Sequence, residues 1–222
     1  LATELAKEGE AERARKVLAQ ARGVARTMAH PKVDMITAIH AGHVAMYCGD
    51  AADFLAHMRE ALDLARKHRA TRVACFVQAY LPRAAVMTGD WPAAVAIGSN
   101  ALGELRALGQ RAFLAQASEA FVRALIEADE IERARAEAAQ AIALAWEFGL
   151  DAEMAADMAL LALRLGQHEH AAALAEYARP RGPVPRNALD RQRQALCKRL
   201  CSDLEAVEQA TAKAARGPQA GM

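Results

Sequence analysis

His40 and His43 are the residues whose spacing first suggests chemistry. Three apart on a helix, two imidazoles share one face and can hold a divalent metal if a third ligand arrives from elsewhere. No H-E-x-x-H or other complete ligand set accompanies them, so an ordinary pair of helix-face histidines is the competing reading. His168, Glu169 and His170 form a second cluster at a helix start, where neighbouring side chains point in different directions and a surface turn suffices. Cys197 and Cys201 are four apart and could bind a soft metal or pair with a partner chain. As small residues beside a packing stripe they need neither role. With Cys48 and Cys75 they have irregular spacing and no C-x-x-C, which points to idle thiols in a reduced, cytoplasmic setting. No metal or other cofactor is expected.

The chain has no G-x-x-x-x-G-K-[ST], no G-x-G-x-x-G after a strand and no G-x-S-x-G elbow, so neither nucleotide nor hydrolase chemistry is written here. One catalytic-looking window, "MTGDWPAAVAIGSNAL" at 87–102, joins a Gly-Asp step to a Trp-Pro pair. Asp90 suits a helix N-cap and Pro92 its first turn. Trp91 then becomes either an exposed recognition residue or a clamp between neighbouring elements. Residues 179–199 carry Arg179, Arg181, Arg186, Arg191, Arg193, Lys198 and Arg199 against Asp190, a surplus of +6 in a chain whose net charge is +1. Such a run suits an acidic partner such as nucleic acid, or simply the solvated face of a helix; nucleic acid is not the expected partner.

The elements that carry these residues follow from composition. Of 222 residues 57 are alanine, the best helix former, and only 5% are aromatic. No stretch reads as a strand, and an all-α protein is expected. Apolar residues make up 54% and charged ones 25%, which argues against disorder. No uncharged run approaches the roughly 20 residues needed to span a bilayer. The opening "LATELAKEGE" has neither a methionine nor a signal pattern, so a piece of a longer protein is expected.

The helices repeat. Gly9, Gly49, Gly89 and Asp129 stand 40 apart and Gly166 follows 37 later. Five residues beyond each anchor lie Ala14, Phe54, Ala94, Ala134 and Ala171, and twelve beyond lie Ala21, Ala61, Ala101, Ala141 and Ala178. A methyl at a fixed position lets two helix axes approach closely where they cross. One helix follows each anchor, and another precedes the next, over Val33–Cys48, Arg72–Thr88, Arg111–Ala128 and Ala152–Leu165. Gly109 and Gly149 suit helix C-caps, Thr71 and Asp151 N-caps. Pro82, inside the second of these helices, should kink it.

A period near 40 built from two helices marks an α-solenoid. The frame of glycine, then alanine at plus five and plus twelve, resembles the tetratricopeptide repeat. With "EALDLARKH", "NALGELRAL" and "QAIALAWEFGL" closing the second helix, the units look most like the helical repeats of large bacterial ATP-dependent regulators of the LuxR and maltose-activator types. The resemblance implies a right-handed superhelix of antiparallel helix pairs over 1–179. A Pro/Gly linker at 180–186, a C-terminal capping helix at 187–214 and a frayed tail at 215–222 would follow. The capping helix carries a stripe of Leu189, Leu196, Leu200, Leu204 and Val207, expected to cover the last unit. In such superhelices the first helix of each unit lines a concave groove. That places His40, His43 and Tyr47 on one helix, Tyr80 and Arg83 on the next, then Gln116, Glu119 and Arg123, then Glu153 and Asp157. The resemblance implies a binding scaffold for a protein, a peptide or a small effector, with self-association open and no membrane partner.

Overall fold

The structure, a computed structural model, describes residues 1–149, 151–179 and 185–215, the side chains of 151–153 and 212–215 excepted. Its elements are α1 (Ala2–Lys7), α2 (Ala11–Met28), α3 (Pro31–Cys48), α4 (Ala51–Lys67), α5 (Thr71–Thr88) and α6 (Trp91–Ala107). They continue with α7 (Arg111–Glu127), α8 (Ile131–Phe148), α9 (Asp151–Arg164), α10 (His168–Ala178) and α11 (Ala188–Ala215). No strand occurs among the described residues, so the all-helical expectation holds. Each helix packs on its chain neighbour, and in addition α1 touches α3, α5 touches α7 and α7 touches α9. No helix among the described residues is long and apolar enough to cross a membrane.

The turns explain the beat. After α1, the Glu10 amide donates to the Leu5 carbonyl at 2.9 Å and the Gly9 amide to the Ala6 carbonyl at 3.1 Å, a Schellman closure that satisfies the last carbonyls of the helix. The same two bonds recur at Gly49 and Asp50, Arg69 and Ala70, Gly109 and Gln110, Asp129 and Glu130, and Gly166 and Gln167. Such a turn needs a left-handed residue, and Asp129 takes the glycine's place with φ +61° because a short polar side chain tolerates that region. The window at 87–102 departs from the pattern. There the Asp90 carboxylate accepts from the Ala93 amide at 3.1 Å and caps α6, as expected, while Trp91 is half-buried.

Two expected caps move by a residue: α5 is capped by Ala70 rather than Thr71, and Leu108 rather than Gly109 closes α6. Asp151 opens α9, its side chain lying outside the described residues. The helix is not divided at Pro82. A proline forfeits one backbone hydrogen bond, and Pro82 lies with Leu81 and Ala84 among the buried residues of α5.

Five positions of the frame are fully buried: Ala14, Phe54, Ala94, Ala134 and Ala171. Where a unit departs from alanine, its partner helix compensates. Phe54 and Met58 of α4 fill the space over Gly42 of α3, where a Cβ would meet the Met58 methyl at 2.5 Å. The later pair is inverted, with Phe121 of α7 lying over Gly98 of α6. At plus twelve, Ala61, Ala101 and Ala141 are buried. Ala21 and Ala178, in the first and last units, are exposed and half-buried because fewer helices flank them.

α11 corrects the sequence reading. Its stripe does meet the last unit: Leu200 is fully buried and the Cys197 thiol donates to the Ala178 carbonyl at 3.7 Å. Its start, however, docks on the first unit. Asn187 is buried, its amide nitrogen donating to the Lys7 carbonyl at 2.9 Å while its oxygen accepts from the Asp190 amide at 3.0 Å and caps the helix. Arg186 pairs with Glu8 at 3.0 Å, and Ala188 lies against Gly49, whose Cβ would come within 3.1 Å of it. A helix of 28 residues is roughly 42 Å long, ample to join first and last units as well as cover one of them. The expected linker residues 180–184 and tail residues 216–222 lie outside the described residues.

Gly9 gives a test of this docking. Its φ is +84°, and a Cβ there would strike the Arg186 backbone carbonyl; Gly89 has φ +75° with open space around it. Both Gly9→Ala and Gly89→Ala should lose about 1–2 kcal/mol for a side chain in the left-handed region. Gly9→Ala should lose at least about 1 kcal/mol more, as Arg186 and Asn187 are pushed off the first unit. Equal losses in urea unfolding would mean that α11 is not held there.

Candidate functional site

His43, Arg83 and Arg123 each stand six residues before an anchor, so α3, α5 and α7 present them at equivalent positions. Each reaches the next odd-numbered helix. The His43 ring meets Tyr80 edge-on at 4.8 Å and Phe76 at 5.9 Å. The Arg83 guanidinium pairs with Glu119 of α7, and that of Arg123 pairs with Asp157 of α9. Six of the ten expected site residues are therefore joined to one another across helices, four of them as ion pairs. Those four charges fasten successive units to one another.

Burial sets the electrostatics. His43 is pushed down to about 4 by desolvation, helped by His40 and Lys7, so its imidazole is neutral near pH 7 and its buried Nε2 has no hydrogen-bond partner. Asp157 is 2% exposed, and its burial pushes it up to about 7 against the opposing pull of Arg123. Burial raises the Tyr47 phenol as well, and Lys7, Arg83 and Arg193 lie near enough to oppose that rise. Lys7 also stands 5.9 Å over the Tyr47 ring.

Tyr47, Tyr80, Arg83, Gln116 and Glu119 border a cavity of about 410 Å³. Met46 and Ala112 complete the wall on the odd-numbered helices, Phe148 enters from the end of α8, and α11 supplies Leu189 and Arg193. His40, His43, Arg123 and Asp157 do not line it. His40 is exposed, with its Nδ1 3.0 Å from the Thr3 hydroxyl. Glu153 has a side chain outside the described residues.

Sequence reasoning missed Phe148, Leu189 and Arg193. Phe148 carries no polar signal, and the other two belong to a helix assigned to the last unit alone. A hint existed for the ion pairs: Arg83 with Glu119 and Arg123 with Asp157 place opposite charges nearly one period apart.

The alternative sites resolve differently. The rings of His40 and His43 are 6.5 Å apart, and no group of three metal-ligating side chains gathers among the described residues. His168 and His170 are exposed at the start of α10. All four cysteines are free thiols, with Cys197 buried and Cys201 half-buried. The basic run is partly spent inside the molecule, since Arg186 pairs with Glu8, Arg179 with Glu176 at 2.9 Å, and Arg199 with Glu127 at 2.9 Å. Arg181 lies outside the described residues. What the geometry offers chemically is a cleft lined by aromatic side chains, two arginines and one carboxylate, at the meeting of repeated helices with the C-terminal one. Compared with known protein families and with curated proteins, the chain matches none.

Proposed function

We propose that the chain is a binding scaffold with no catalytic chemistry of its own, the helical-repeat region of a larger bacterial signalling or transcription regulator. In this reading the helix pairs wind into a right-handed, tetratricopeptide-like superhelix, and α3, α5, α7 and α9 line its concave wall. The ligand is a peptide, a segment of a partner protein or a small effector. One observation carries the reading: side chains from three successive units meet α11 around the 410 Å³ cavity, and tyrosine and arginine, the residues that anchor interfaces best, face it. Cavities of roughly 300–1,000 Å³ hold small ligands or one anchoring side chain of a peptide.

A peptide-display selection on the purified chain tests this. Enriched peptides should bind the Tyr80→Ala variant at least about tenfold more weakly, a loss typical of an aromatic anchor, and the Gln116→Ala variant more weakly too. Thermal melts of both variants separate lost binding from lost folding. Peptides indifferent to both substitutions, absence of enrichment, or catalytic turnover by the isolated chain would each contradict the reading.

A further inference from the structure

Gln78 departs from the repeat. Eleven residues before each of the last four anchors stand Ala38, Gln78, Ser118 and Ala155, all buried. Alanine asks for no partner there, and the Ser118 hydroxyl donates to the Leu114 carbonyl of its own helix at 2.8 Å. Gln78 is 2% exposed, and its side-chain nitrogen donates to the Glu104 carboxylate of α6. A carboxylate only accepts, so the amide cannot be turned round, and its oxygen is left buried with no hydrogen-bond partner among the described residues. Glu104 is the second departure. Fifteen residues after each of the first four anchors the chain carries Val24, Leu64, Glu104 and Leu144, so only this unit is polar at that position. Pro82 adds a third, since it has no N–H to offer the Gln78 backbone carbonyl four residues earlier.

A buried acceptor left open weakens the fold unless something donates to it. There is room for a donor. Gln78 and Leu81 of α5, Leu62 of α4, and Ile97 and Ala101 of α6 border a cavity of about 580 Å³, a size that holds small ligands. Two arginines, Arg59 and Arg66, and two carboxylates, Asp63 and Glu104, also line it, so its charge is balanced and favours neither an anion nor a cation. No aromatic side chain lines it among the described residues, so a flat ring finds no face to stack on. Arg66 and Glu104 pair at 2.7 Å, each about half exposed, and an exposed pair parts at small cost. Donors, Asn100 and Arg59, and acceptors, Gln78 and Asp63, stand around one space. A primary carboxamide, with two N–H groups and one carbonyl, answers both.

We propose that this cavity is a second binding site, for a small uncharged aliphatic molecule bearing a primary carboxamide. One N–H of the ligand donates to the Gln78 oxygen, and its aliphatic body rests on Leu62, Leu81 and Ile97. The site shares no lining residue with the cavity at Tyr80, so it does not rest on the scaffold reading.

Three small molecules of similar shape test this. They are cyclohexanecarboxamide, methyl cyclohexanecarboxylate, which keeps the carbonyl but has no donor, and cyclohexylmethylamine, a cation at neutral pH. Titrated into the isotopically labelled full chain and followed by NMR, the carboxamide should saturate one site. It should shift the Gln78 side-chain amide and the backbone amides of α4, α5 and α6 around it. It should bind roughly tenfold more tightly than the ester, the order of one buried hydrogen bond left unmade, and more tightly than the amine. Gln78→Met, which keeps the side chain's length without its oxygen, should bring carboxamide and ester within about twofold of each other. Gly103→Leu should abolish binding of all three. Gly103 lines the cavity, a Cβ there meets nothing within 4 Å, and leucine favours a helix, so this variant keeps its fold.

No saturable binding, equal affinity for carboxamide and ester, or a tighter amine would overturn the proposal. So would a preference that survives Gln78→Met, binding that persists in Gly103→Leu, or shifts centred on Tyr80. If Gln78→Met fails to fold, Gly103→Leu still decides it. The peptide-display result is read at Tyr80 and Gln116, so the scaffold reading stands or falls separately.

Discussion

Truncating Phe121 to alanine should cost about 3–5 kcal/mol of folding stability, among the largest single-residue effects in the chain. The ring is 2% exposed on α7 and belongs to the central core. Its neighbour across the helix crossing is Gly98, which has no side chain to move into the space left behind. The cost of such a truncation grows with the volume that stays empty, so the upper half of the range is expected. The pairing also fixes the sign of a second substitution. In the wild type, Gly98→Ala drives a methyl into the Phe121 ring, and overpacking of roughly 1–3 kcal/mol outweighs the roughly 1 kcal/mol that alanine gains over glycine in a helix. In the Phe121→Ala background the same methyl fills part of the cavity and should stabilise. Urea unfolding of the four proteins in this cycle measures the coupling. A Gly98→Ala effect of the same sign in both backgrounds would show that the two residues do not share this crossing.

Arg123→Leu should be the second large effect, and its size should depend on pH. Asp157 is fully enclosed and leans on Arg123 for its charge. Removing one partner of a buried pair typically costs about 3–5 kcal/mol because the other charge is stranded. Here the stranded group can escape by taking up a proton. Its folded pKa, already raised to about 7 from 3.8, rises further once the arginine is gone. Asp157 binds its proton more tightly in the folded state, so its contribution to stability falls as pH rises from the unfolded toward the folded value. Without Arg123 that fall extends to higher pH. The variant should therefore lose about 3 kcal/mol or more relative to wild type at pH 8.5, and roughly 1 kcal/mol at pH 5. Comparing variant with wild type at each pH removes the opposite contribution of His43, whose lowered pKa makes wild-type stability fall as pH drops from 6.5 toward 4. The double variant Arg123→Leu, Asp157→Leu should recover most of the loss, since a packed apolar pair avoids stranding a charge. A loss that is the same at every pH would mean Asp157 is not the group left behind.

Both effects grow out of the repeat, and the repeat was legible because close packing leaves a periodic residue. Alanine recurs at one frame position because helices cross there, and glycine recurs at the turns because a Schellman closure needs a left-handed residue. Helix boundaries followed to within a residue or two, as at Arg111 and Cys48. The exchange of size across a crossing was harder to read. Gly98 and Phe121 look unremarkable apart, and their complementarity exists only when α6 meets α7.

The candidate site was legible by halves. The resemblance to the tetratricopeptide repeat put ten residues on one face, and five of them, Tyr47, Tyr80, Arg83, Gln116 and Glu119, border one cavity. It could not say that Arg83 would close on Glu119 and Arg123 on Asp157, because a periodic frame marks equivalent positions and not side-chain reach. The return of α11 to the first unit was hidden for a different reason. An apolar stripe such as Leu196, Leu200 and Leu204 declares that a helix face is covered but not what covers it. The destination is written in Gly9, Gly49 and Lys7, far away in sequence and silent until Arg186, Ala188 and Asn187 meet them.

α11 walls the cavity through Leu189 and Arg193 and is held at the first unit and the last. Amide hydrogen exchange on the full chain tests this docking most directly, because backbone amides report the opening free energy of each helix. The amides of α11 from Leu189 to Leu204 should exchange only with the cooperative opening that exposes α7, and Gly9→Ala should speed exchange at the α11 start first. Exchange across that stretch at the rate of a solvated, fraying helix, with α7 still protected, would contradict the account.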